Sequence, residues 1–266
     1  MSKFTFIIFS DGEKLSEGVS VLEELDSEGS ITVYSKAVVG KNEDDNLFLK
    51  EPAEASLLGT SSESLAGGLI GLINGPVGGV TGLAGDALLG SAWDLFRYGL
   101  DIDFVQEIAA RLPGGDGVIV AEVSETVTAP LDQRIDDIGG TILRIWRVNI
   151  EDQQIAQNLE QAEAECHALK AELMDAARQE NAKFEAQMDA ANANLQLVKD
   201  EALDRLNNIE KEFEAKAKKL ERQLTGVSAH AGATINRRID ALHEDYKLWT
   251  EKLKKAWSTT RETPIS

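Results

Sequence analysis

The pattern of apolar and polar positions changes period along the chain, and the changes divide it into a mixed head and a helical tail. Phe4 to Phe9 is an apolar run of strand length, which predicts a buried strand. Asp11 then stands in a capping position before Leu15, Val19, Leu22 and Leu25, which share one helix face, and Gly29 ends that helix. Ile31 to Val39 is a β-branched strand, Gly40 to Asn46 a turn, and Leu47 to Leu49 a shorter strand. After an interruption, Asp101 or Asp103 caps a helix with Phe104, Val105, Ile108 and Leu112 inward, stopped by Pro113-Gly114-Gly115. Val118 to Val123 predicts a strand, Pro130 to Ile138 a helix, and Thr141 to Arg147 a final strand. Residues 1–149 therefore predict an α+β head of order β-α-β-β, insertion, α-β-α-β. That order suggests a ferredoxin-like sheet with helices on one face and an extra αβ unit.

The insertion, residues 60–99, has a different character. Thr60 and Glu63 have capping-box spacing, and no charge follows until Asp86. The stretch holds Gly67, Gly68, Gly71, Gly75, Gly78, Gly79, Gly82, Gly85 and Gly90, and Asn74-Gly75-Pro76 breaks it into two short helices joined by a turn. Gly67, Gly71 and Gly75 lie four apart, as do Gly75 with Gly79 and Gly78 with Gly82, so each arm offers a groove for close helix approach. Each glycine costs a helix about 1 kcal/mol relative to alanine, so this density calls for a compensating contact. Three partners fit such a glycine zipper: its other arm or the head, another subunit, or lipid. The uncharged stretch from Ser64 to Gly85 is nominally long enough for one span of about 20 residues. Its glycines, Asn74 and Pro76 favour a re-entrant or surface-lying hairpin over a crossing.

Beyond Ile150 neither glycine nor proline occurs before Gly226, which predicts one long helix over 150–225. Ile155, Leu159, Ala162, Cys166, Leu169, Leu173 and Ala176 follow the alternating spacing of a coiled-coil seam. From Phe184 through Met188, Ala191, Leu195, Val198, Ala202, Leu206, Ile209, Phe213, Ala217, Leu220 and Leu224 the spacing lengthens to about 3.6 residues, with an eleven-residue repeat through Ala191, Ala202, Phe213 and Leu224. Such a helix would extend on the order of 110 Å, more stripe than a small head can bury. Gly226 and Gly232 mark a break before a second helix in 226–266, striped by Ile235, Ile239, Leu242, Tyr246, Trp249, Leu253 and Trp257.

Composition sharpens this reading. The net charge of −19 opposes general binding to nucleic acid or anionic lipid. Residues 1–149 carry 24 acids against 10 bases, leaving 22 against 17 for the rest, so the head is the acidic part. The bases Lys211 to Arg222 and Lys247 to Lys255 suit docking against acidic heads of neighbouring copies. The single cysteine, Cys166, fits a reducing compartment and reads as a small packed hydrophobe. The N-terminal run is too short and too acidic in its flank for a secretory signal. Glu43-Asp44-Asp45 lacks the alternating ligands of a calcium loop, and His167, His230 and His243 lack metal spacing. Gly114-Gly115-Asp116-Gly117 reads as a helix-to-strand turn and not as a phosphate cradle.

The runs DIDFVQEIAARLPGGDGVIVAEVSE (101–125) and APLDQRIDDIGGTILR (129–144) resemble a bacterial family of uncharacterised predicted membrane proteins. The resemblance covers roughly residues 1–147. It implies a ferredoxin-like domain interrupted by a glycine-zipper hairpin, with a long charged helix in some members, and supplies no catalytic residues.

The sequence thus predicts a non-catalytic, self-assembling structural protein that forms a ring, shell or filament, cytoplasmic or membrane-associated, without cofactor, metal, nucleic acid or small-molecule substrate. The alternative is a peripheral membrane protein that contacts lipid through residues 64–90. The residues expected to carry self-association are Gly67, Gly71, Gly75, Gly78, Gly79 and Gly82 in the hairpin, with Leu195, Leu206, Phe213, Leu220, Leu224, Trp249 and Trp257 in the tail.

Overall fold

A computed structural model describes residues 2–42, 46–52, 59–74, 95, 98–100, 102–112, 117–147, 150–175 and 181–261. Within them the chain is α+β, with a five-stranded antiparallel sheet and seven helices that include long ones at the C-terminal end. The strands are β1 (Lys3–Phe9), β2 (Ile31–Lys41), β3 (Leu47–Glu51), β4 (Gly117–Glu125) and β5 (Thr141–Trp146), in the order β3-β2-β4-β1-β5. The head's helices are α1 (Gly12–Ser27), α2 (Gly59–Asn74), α3 (Ile102–Arg111) and α4 (Ala129–Asp137). The tail's are α5 (Ile150–Asp175), α6 (Asn181–Leu224) and α7 (Ala229–Arg261).

The unbroken apolar run of β1 has a simple cause. Phe4, Phe6 and Ile8 face α2 and α3, while Ile7 and Phe9 face α1 and α4. The sheet is therefore covered on both faces and not on one, because α2 and α3 occupy the face that the expected one-sided arrangement leaves open. Edge-to-face rings at 5.4 Å pair Phe6 with Phe104 and Phe4 with Tyr98 on that side. On the other side Asp11 caps α1, its carboxylate accepting from the Glu13 N–H at 2.8 Å, and Leu15, Leu22 and Leu25 reach the core. Gly29, at φ +75°, makes the left-handed turn from α1 into β2.

The central strands pair in a register that brings Gly117 opposite Gly40. A β-carbon at Gly117 would lie 2.3 Å from the Val39 carbonyl oxygen, so only glycine allows β4 to start there. Gly117 is thus a strand residue at a close backbone approach. Gly114, Gly115 and Asp116 lie outside the described residues, as do Glu43, Asp44 and Asp45.

The chain divides into two compact units, and the division departs from the expected boundaries at 149 and 225. The first unit comprises 1–148 together with 212–243, so the sheet is joined by the C-terminal end of α6 and the first part of α7. Tyr34, Leu220, Ile235 and Leu242 form its third apolar cluster, with Phe213, Ala217, Leu224, Val227 and Ile239 packed around them. The second unit comprises 149–211 and 244–266. Its core holds Ile155, Leu159, Val198, Ala202, Ile209 and Leu253, flanked by Leu195, Leu206, Tyr246 and Trp249.

The single helix expected over 150–225 is two helices, α5 and α6, and within the second unit they run antiparallel. Asp152 pairs with Arg205 and the Cys166 thiol lies 3.8 Å from the Asn192 amide oxygen, a register that a continuous helix cannot make. The physical reason is the stripe itself. An apolar face of that length is stable only when covered, and folding back lets the chain cover it with its own residues.

Candidate functional site

Two features stand out, a glycine-bearing helix face on α2 and a buried set of charges where α6 meets the sheet. Helix α2 lies against β2, β3 and β4, and buries Ser62, Leu65, Ala66 and Leu69. The Ser62 hydroxyl bonds that of Ser35 at 2.5 Å, which anchors the inward face. The opposite face presents Glu63 and Gly67, both exposed, and the half-buried Gly71 at the next helical turn. A β-carbon added at Gly67 would meet nothing within 4 Å. Among the described residues no packing requires glycine at this position. Gly75, Gly78, Gly79 and Gly82 lie outside the described residues.

The charged set centres on Glu122, which lies in the middle of β4 with no exposure to solvent. Its carboxylate accepts from the Ser2 hydroxyl at 2.6 Å, the Ser61 hydroxyl at 3.2 Å, the Arg147 guanidinium at 2.8 Å and the Lys216 ammonium at 2.5 Å. Arg147, just beyond β5, also grips Glu212 with both ends of its guanidinium, and Lys216 lies 2.8 Å from Glu212 one helical turn away. Lys216 further lies over the Tyr34 ring at 4.9 Å, and Arg147 over the Phe4 ring at 5.9 Å. Two anions and two cations balance, and Ser2 and Ser61 satisfy the remaining lone pairs of Glu122.

Burial works against ionisation of Glu122, but Arg147 and then Lys216 outweigh it and hold its pKa below the ordinary carboxylate value. Glu212 is lowered in the same way, with Lys216 and Arg147 overcoming its desolvation. For Arg147 the two carboxylates overcome burial and keep the guanidinium firmly charged. Glu122, Glu212 and Arg147 therefore stay ionised across the neutral range. That arrangement is a structural one, since a general acid or base needs a pKa near the working pH.

A second polar contact lies nearby in the same unit. Arg238 donates to the Gly29 carbonyl at 3.1 Å, to the Ser30 carbonyl, and to the Thr32 hydroxyl at 3.1 Å. Gln223 donates to the carbonyls of Asp26 at 2.7 Å and Ile31 at 3.0 Å, and accepts from Thr32 at 2.6 Å. Lys219 pairs with Asp26 at 3.3 Å. Lys216 and Lys219 thus meet acids of their own chain, where the charge asymmetry of 211–222 had suggested those of a neighbouring copy.

The tail residues singled out for self-association are spent internally. Leu220 is fully buried, with Phe213 and Leu224 packed beside it. Leu195, Leu206 and Trp249 flank the core of the second unit, and Trp257 is half-buried. The structure brings these residues onto the chain's own seams and leaves Gly67 and Gly71 on an outward face.

No family model, curated protein or solved structure matches the chain. The residues themselves carry the functional argument. Among the described residues no cluster of three metal-ligating side chains occurs, and no helix is long and apolar enough to cross a membrane. His167, His230 and His243 are exposed on separate helical turns. Cys166 is buried, and burial, with Glu165 adding to it, raises its thiol pKa, which keeps the sulfur protonated and unreactive. A groove of about 250 Å³ between α5 and α6, lined by Glu165, Leu169, Gln187, Ala190, Ala191 and Asn194, pairs its one carboxylate with amides and apolar side chains alone.

Sequence reasoning missed the charged set entirely. Its signals were present: Glu122 interrupts the apolar strand Val118 to Val123, and Lys216 falls between Phe213 and Leu220 on the apolar stripe.

Proposed function

We propose that the protein is a non-catalytic structural protein that assembles with copies of itself, with the glycine face of α2 as the contact. The observation that carries this reading is the open space outside Gly67. Glycine in the interior of a helix costs about 1 kcal/mol against alanine, and nothing among the described residues needs it there. A helix from a second copy, laid along Gly67 and Gly71, gains the close backbone approach that offsets this cost. The tail stripes contribute less than their length suggests, since they cover one another within the chain.

In the same reading the strands β2-β4-β1-β5, with α1 and α4 as crossovers, form a ferredoxin-like sheet. The stretch from β3 to α3 is then an insertion between β2 and β4, and the glycine segment after Asn74 lies outside the described residues. A single free cysteine suits a reducing setting such as the cytoplasm.

The test is the double variant Gly67→Leu with Gly71→Leu, read by light scattering and by flotation with liposomes. Loss of assembled mass with an unchanged circular dichroism spectrum supports the proposal. Unchanged mass counts against it, and flotation of the wild-type protein that the leucines abolish would instead make lipid the partner of this face.

A further inference from the structure

We infer that the charges of Glu122, Arg147, Glu212 and Lys216 are a register lock, which fixes one axial position of the 212–224 stretch of α6 against the sheet. The inference starts from the stripe. Ile209, Phe213, Ala217, Leu220 and Leu224 place an apolar side chain on every turn, and the same spacing continues through Leu206 and Ala202. Sliding α6 by one turn, about 5.4 Å, would set apolar residues against the positions that apolar residues hold now. An apolar stripe of this regularity specifies that the helix packs, and leaves open where along its axis it does so.

Lys216 breaks the degeneracy. Among the described residues it is the one buried charged side chain of α6, and it points into the sheet face formed by Tyr34 and Glu122. A slip of one turn would carry both Lys216 and Glu212 away from their partners. Glu122 and Arg147, each almost wholly buried, would then be left with half of their counter-charges. Uncompensated buried charge is far more costly than a shifted apolar contact.

Stability alone does not explain the arrangement. Apolar side chains of similar volume commonly hold as well as a buried ion set or better, because the ions must first be stripped of water. What ions supply is discrimination between registers, as a buried polar residue does in a coiled coil. The lock also reaches several elements at once. Ser2 precedes β1, Ser61 belongs to α2, Glu122 to β4 and Arg147 follows β5, so the correct position of α6 is sensed by the assembled head. The contacts of Gln223 and Arg238 go mostly to backbone carbonyls, which recur at every residue and discriminate less.

Cysteine cross-linking in the full chain tests this. In a Cys166→Ala background, Thr32→Cys is combined in turn with Lys219→Cys, Gln223→Cys or Val227→Cys, and disulfide yields after mild oxidation are compared by mass spectrometry. With the native charges, cross-linking at 223 dominates, since Thr32 and Gln223 are in hydrogen-bond contact. In the variant carrying Glu122→Leu, Arg147→Met, Glu212→Leu and Lys216→Met, yields at 219 or 227 rise to the same order as at 223. Exclusive cross-linking at 223 in that variant overturns the lock. Should the fourfold change prevent a cooperative melt, Glu212→Gln with Lys216→Met decides, because it removes both charges that α6 contributes, keeps the Glu122 and Arg147 pair within the head and preserves the charge balance. Mixed registers there support the inference, and 223 alone refutes it.

Discussion

Replacing Glu212 by glutamine leaves Arg147 and Lys216 sharing the single carboxylate of Glu122, an excess positive charge in a site closed to water. Glu212→Gln is expected to destabilise the fold by about 3 kcal/mol at pH 7, measured by urea unfolding. The pH dependence has a definite sign. The folded-state pKa of Glu212 lies below its ordinary value of 4.5, so its contribution is complete above that pH and is lost as pH falls through the lowered value. The gap between wild type and Glu212→Gln should therefore be constant from pH 7 to about 5 and narrow below 4.5. A gap that closes already between pH 7 and 6 would show that Glu212 is not held in this way. The cluster escaped sequence reading because its members are far apart along the chain. Arg147 and Glu122 are 25 residues apart, Arg147 and Glu212 65, and Lys216 and Glu122 94. Charged residues are read by default as solvated, and only a charge at an inward position of a strand or stripe signals otherwise.

At the scale of elements, the apolar periods located most of the head. The strands β1, β2, β4 and β5 and the helices α1, α3 and α4 fall where the spacing of Phe6, Leu22, Val33, Ile108, Val120, Ile135 and Ile142 puts them. The two-sided cover of the sheet was less legible, although the continuous apolar runs of β1 and β4 carry it, since a one-sided sheet alternates. In the tail the error was to join α5 and α6. The seam spacing does falter between Ala176 and Phe184, a gap of two turns that marks where one seam ends and another begins. Two variants separate internal from external roles. Leu220→Ala should cost about 2–5 kcal/mol of stability and leave the assembled mass unchanged, because Leu220 belongs to the chain's own core. Gly67→Ala should act in the opposite sense. It removes the helix penalty of glycine without a clash, so the fold gains up to about 1 kcal/mol in thermal or urea unfolding of dilute, dissociated protein, while assembly weakens. A loss of stability in dissociated Gly67→Ala would mean that the glycine serves the chain's own packing.

For the whole molecule, two compact cores share two helices by sequence, since α6 and α7 each supply residues to both units. The helical tail is thus a working part of the fold, and Leu159, Ala202, Leu220 and Leu253 of its stripes are buried within the chain. On the proposed reading, assembly would then fall to the head, and within it to the outward face of α2. A net charge of −19 opposes association at long range, so the proposed contact between copies would have to be short-ranged, as close helix approach at Gly67 and Gly71 is. The most direct measurement is the solution mass of the wild-type protein by sedimentation equilibrium over a range of concentrations at moderate salt. The account predicts a defined multiple of 28.9 kDa that persists at micromolar concentration. A single species of 28.9 kDa at every concentration would contradict it.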